Sequence, residues 1–140
     1  HRDSTFIKLN YTARADKFFR KYGKDQLIRI FPFSIPAFKD PKIRKYPVQI
    51  DYPVYKVDTL EYKLPVGYVV NNLLKNQTVN SAFGVYTLEF QHHENTVEVI
   101  KSFLLNAGRY PLEQYPDFYN FMKKVSDIEY NNYIVTQKQE

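Results

Sequence analysis

Residues 83–105 read FGVYTLEFQHHENTVEVIKSFLL, and the fold turns on them. Tyr86, Leu88 and Phe90 fall on one side of an extended chain, and Phe83, Val85, Thr87, Glu89 and Gln91 on the other. After His93-Glu94-Asn95 the alternation restarts, with Val97, Val99, Lys101 and Phe103 opposed to Glu98, Ile100 and Leu104. Successive side chains of a strand point to opposite faces. A period of two sustained over Phe83–His92 and again over Thr96–Leu105 therefore predicts a hairpin with one core face and one solvated face.

The same period extends in both directions. Upstream, Val48, Ile50 and Tyr52 alternate with polar residues. Val57, Thr59, Glu61 and Lys63 then alternate with the more apolar Asp58, Leu60, Tyr62 and Leu64. Pro65-Val66-Gly67 forms a turn, and Tyr68–Asn71 and Gln77–Ser81 read as short strands. Near the start, Ile7, Leu9, Tyr11, Ala13 and Ala15 predict a strand over 5–15, while 14–22 suits either a strand or a helical face. Gly23-Lys24-Asp25 turns the chain into Gln26–Phe31, a strand paired back on the first. Pro32, Pro36, Pro41 and Pro47 follow. Without amide donors they make this an extended crossing, not a central strand.

One segment changes period. Phe118, Phe121, Met122, Val125 and Ile128 form an amphipathic helical stripe within 114–129. Pro116 suits its first turn, and Asp117 complements the positive end of its dipole. Tyr133–Thr136 reads as a final strand. The expected fold is mainly β: an antiparallel β-sandwich, immunoglobulin-like or related, of roughly seven to nine short strands in two sheets. The C-terminal helix packs on it. Residues 1–45 supply N-terminal strands and the proline-rich crossing, and 46–140 the β-rich domain.

Composition removes several functions. The chain has 140 residues, none of them cysteine, which excludes disulfides, thiol nucleophiles and cysteine-ligated metals. Hydrophobic residues at 44% are enough to build a core. No apolar run approaches the roughly 20 residues that span a bilayer, so no membrane insertion is expected. Residues 1–50 hold 12 Lys/Arg against 4 Asp/Glu, and the remainder 8 against 11. Lys17, Arg20, Lys21, Lys24 and Arg29 are scattered without a nucleic-acid motif, so no nucleic-acid partner is expected. The uneven charge fits either a polyanion-binding face or, as the favoured reading, a surface that is simply lysine-rich. The opening His1-Arg2-Asp3 suggests a piece of a longer or processed protein.

Catalytic constellations are poorly represented. His92 and His93 are adjacent and point to opposite faces of a strand. Ser34, Ser81, Ser102 and Ser126 lack a nucleophile elbow. Asp58 with Glu61, and Glu113 with Asp117, have spacings common on solvated surfaces. Asp40, Asp51 and Asp58 do not form a calcium loop. No catalytic residue, cofactor or metal is expected. The tyrosines are the remaining candidates: Tyr46, Tyr52, Tyr55, Tyr62 and Tyr68 cluster in one stretch, and Tyr110, Tyr115 and Tyr119 in another. Exposed, they would form a binding surface for sugar rings or a protein partner; buried, they would fill the sandwich core.

Larger motifs carry a resemblance. Tyr46-Pro47-Val48 is followed by Leu64-Pro65-Val66-Gly67-Tyr68 and Phe83-Gly84-Val85-Tyr86. Then come Tyr110-Pro111-Leu112-Glu113-Gln114-Tyr115 with Phe118 and Phe121, and finally Tyr133-Ile134-Val135. In this order they resemble the uncharacterised C-terminal domain that follows a transglutaminase-like domain in secreted proteins of Bacteroides-type bacteria. The resemblance implies a β-rich domain exported to the periplasm or cell surface, whose partner is the upstream transglutaminase-like domain. The family's catalytic cysteine, histidine and aspartate belong to that upstream domain. The expected function is a non-catalytic accessory domain making interdomain or protein contacts. The alternative is a carbohydrate- or cell-wall-binding module using the tyrosines.

Overall fold

The computed structural model describes residues 10, 12, 18–30, 38, 40–72 and 74–139. The expected strand over 5–15 lies outside these residues, as do Pro32, Ser34 and Pro36. The strands are β1 (Phe19–Tyr22), β2 (Asp25–Arg29), β3 (Val48–Ile50), β4 (Val54–Lys63), β5 (Tyr68–Val70), β6 (Gln77–Ser81), β7 (Gly84–His93), β8 (Thr96–Leu105), β9 (Gly108–Tyr110) and β10 (Tyr133–Lys138). Helix α1 spans Tyr115–Asn131, and short 3-10 turns occupy Pro41–Ile43 and Leu112–Gln114.

The chain is mainly β, with antiparallel sheets and one α-helix near the C-terminus among the described residues. Among the described residues the strands form three sheets rather than two. The largest has the order β4-β8-β7-β6, a second β1-β2-β10-β5, and β3 pairs with β9 alone. Proline explains that small third sheet: Pro47 and Pro53 bracket β3 and Pro111 follows β9, cutting each ladder short. Of the residues left undecided at 14–22, Phe19–Tyr22 form β1, whose pairing with β2 places Phe19 opposite Ile28 and Tyr22 opposite Asp25, and 14–17 lie outside the described residues. The β7–β8 hairpin closes through Glu94, whose φ of 49° lies in the left-handed region.

A continuous core joins these elements. The inner face of the large sheet contributes Val79, Tyr86, Leu88, Val97, Val99 and Phe103. Helix α1 lays Phe118, Phe121, Met122 and Val125 into the same core, which also receives Ile30 and Ile134 beside the second sheet. At Gly84 two backbones come together. A Cβ built there would lie 1.9 Å from the Leu104 carbonyl oxygen, so only glycine lets β7 close against β8. Gly84→Ala is therefore expected to cost about 1–3 kcal/mol, like other overpacking changes. Urea unfolding measures it, and an unchanged midpoint would mean the strands separate there freely.

Candidate interaction surface

Arg44 organises the approach to the tyrosine stretch. Its guanidinium lies 4.7 Å from the Tyr115 ring centroid and donates to the carbonyls of Tyr46 at 2.9 Å and Pro47 at 3.0 Å. This pins the backbone just before β3, while the Tyr46 ring stands 76% exposed. Tyr52, in the bend between β3 and β4, is 81% exposed, and Tyr55, in β4, is 72% exposed. Tyr62 and Tyr68 are placed differently. Both are half-buried: Tyr62 donates its hydroxyl to the Ile30 carbonyl, and Tyr68 accepts from Gln26 Nε2 at 3.1 Å. Burial pushes the Tyr62 phenol up to about 12.

The register of β4 shows what surrounds Tyr55. It sits opposite Leu104, which in turn faces Val85; Val57 sits opposite Ser102, and Thr59 opposite Ile100. These residues share the outer face of the large sheet. Tyr55 and Val57 are exposed, and Val85, Ile100 and Leu104 are only half covered. Toward the far end the same face becomes acidic, with Glu61 opposite Glu98. A solvated strand face needs polar side chains, so this aromatic and aliphatic end is the least water-suited part of the sheet. The sequence stretch carried Tyr55; Leu104, Ile100 and Val85 are added only by strand pairing.

Behind this face lies a buried ionic group. Lys101 Nζ is 3.0 Å from Glu129 of the helix and 3.1 Å from Asp58 of β4, and Lys56 Nζ is 3.2 Å from Asp58. Tyr86 shares the site. Burial, followed by the nearby charges of Glu129 and Asp58, pushes its phenol upward. For Asp58, burial works to raise the pKa, but Lys101 and Lys56 outweigh it and hold the carboxyl below its ordinary value. Because the folded-state value is the lower one, this contribution is present above the unfolded aspartate range and is lost as pH falls through the depressed value. Stability measured below roughly pH 4 should therefore fall more steeply for the parent chain than for Asp58→Asn. Parallel urea-midpoint curves for the two would dismiss the ion pair as a source of acid sensitivity.

The other reactive side chains have separate occupations. Ser102 Oγ lies 2.7 Å from Thr87 Oγ1, and Ser81 Oγ accepts from the Phe83 amide at 3.3 Å. Asp40 caps the first 3-10 turn, and Asp51 accepts from Gln49 Nε2. His92 borders a cleft of about 170 Å³ with Val70, Leu74, Phe90 and Val97, while Ser126 lies on α1. No group of three or more potential metal ligands gathers among the described residues, and no described helix is long and apolar enough to cross a membrane.

Compared with known proteins, residues 26–135 match the family model of DUF3858, a domain of unknown function with a solved structure. No curated protein and no individual solved structure matches the chain.

Proposed function

We propose, from the premise that this chain belongs to the DUF3858 family of domains of unknown function, that it is a non-catalytic accessory domain making protein contacts through the outer face of its large sheet. The observation that carries this reading is the water-poor end of that face, where Tyr55 and Val57 are 72% and 48% exposed over half-covered Leu104, Ile100 and Val85. Interface centres are enriched in aromatic anchors such as Tyr55 and are more apolar than their rims. The order of motifs from Tyr46 to Val135 supports a parent that is an exported transglutaminase-like protein of Bacteroides-type bacteria. Its upstream domain is then the partner, in the periplasm or at the cell surface.

The test is titration of the separately produced transglutaminase-like domain with this chain. Saturable binding is expected, weakened at least about tenfold by Tyr55→Ser combined with Val57→Ser, since losing the aromatic anchor and its neighbour together is worth roughly 1.4 kcal/mol or more. Binding indifferent to that pair would remove this face from the contact. A second reading rests on the rings of Tyr46, Tyr52 and Tyr55, whose exposure suits stacking on sugars. Heat on titration with cell-wall glycans, abolished by Tyr52→Ala, would favour it over the protein contact.

A further inference from the structure

A different edge of the molecule carries a second surface. Strand β1 forms one margin of the second sheet, bonded to β2 on one side, and no described strand pairs with its other side. All four of its residues are exposed. Phe18 and Phe19 are 49% and 40% exposed and Tyr22 is 80% exposed. Such an edge presents backbone donors and acceptors at strand spacing, a template for one more strand.

The side chains on this edge select what can be added. Phe19 and Lys21 point to one face, Arg20 and Tyr22 to the other. Across the ladder Arg20 meets Leu27 and Lys21 meets Gln26, so neither cation has an acidic residue directly opposite. No ion pair to an acidic side chain involves Arg20 or Lys21 among the described residues. Both lie in the half of the sequence that carries 12 basic against 4 acidic residues. Edge strands use charge to repel unwanted pairing. Two adjacent cations between two aromatics repel most strands and attract one kind.

We infer that β1 is a docking edge for an extended acidic segment of a partner protein, added as a fifth strand. Opposite Phe19, Arg20, Lys21 and Tyr22 the segment carries apolar, acidic, acidic and apolar residues. This order reads the same in both directions, so it suits a parallel or an antiparallel strand. The edge is independent of the Tyr55 face, which lies on another sheet.

The experiment titrates a labelled, end-blocked ten-residue peptide with a Val-Glu-Glu-Val centre against the whole chain, read by fluorescence anisotropy. Saturable binding is expected. It should weaken at least about tenfold when Arg20→Glu and Lys21→Glu are combined, as two reversed exposed ion pairs imply. Tyr55→Ser with Val57→Ser should leave it unchanged. Methylating alternate amides of the peptide, which removes the strand hydrogen bonds but no charge, should abolish it in the parent chain. Three results would each overturn the proposal: no binding of the peptide, equal binding of its methylated form, or equal binding of polyglutamate or an acidic polysaccharide. The last two would reduce the edge to a surface for any polyanion.

Discussion

Glu129→Ala is expected to lower stability by about 3 kcal/mol, the lower end of what breaking a buried ion pair costs. The carboxylate side chain is fully enclosed and that of Lys101 is 7% exposed, with 3.0 Å between them. Removing the carboxylate leaves an ammonium in the core with Asp58 as its remaining acidic partner at 3.1 Å; that partner keeps the loss from the upper end of the range. Replacing both residues, Lys101→Met with Glu129→Leu, removes the charges together and is expected to be near neutral or stabilising. A denaturant double-mutant cycle separates the pair from its parts. A single Glu129→Ala within about 0.5 kcal/mol of the parent, the range of ordinary surface changes, would show that the helix does not depend on this contact.

Phe121→Ala is expected to cost about 3–5 kcal/mol, as for a large ring removed from a closed core. Phe121 is 4% exposed and lies against Phe103 of β8 with ring centroids 6.4 Å apart and planes 17° from parallel. The ring joins helix to sheet at a point where neither backbone can collapse independently. Thermal or urea unfolding reads the effect, and an unchanged curve would mean that α1 is not docked through this ring.

The hairpin and the helix were legible because each repeats its period over many residues. From Gly84 on, the alternation matches β7 and β8 closely, whereas Phe83, expected on the face of Val85, precedes the strand and is 3% exposed in the core; the stripe from Phe118 to Val125 is buried as a helical face should be. The stripe was incomplete only at its end. Ile128 is half-buried and packs against the core as expected, but Glu129, 1% exposed, also continues the face from Val125. A hydrophobic pattern cannot register a buried carboxylate whose partner lies on a distant strand. The available clue was Lys101, a cation in line with Val97, Val99 and Phe103.

The tyrosine surface was legible in part for a related reason. Tyr55 and Tyr62 are an odd number of positions apart on β4, so they occupy opposite faces. Tyr55 faces water and Tyr62 reaches Ile30. The third sheet and the pairing of β2 with β10 were hidden, because short apolar strands far apart in sequence carry no mark of which neighbour they choose.

The place of β10 sets an order of events for a growing chain. It lies between β2 and β5, and its Thr136 hydroxyl reaches the Gln26 carbonyl across 110 positions of sequence. The β6-β7-β8 meander needs only neighbouring residues and can assemble early, whereas bringing distant strands together carries a larger loop-closure cost. Until β10 leaves the ribosome, β1 and β2 have no other described strand to pair with, and a two-stranded hairpin is marginal in water by itself. The second sheet is thus closed late: β10, the last described strand, holds the earliest described ones in place.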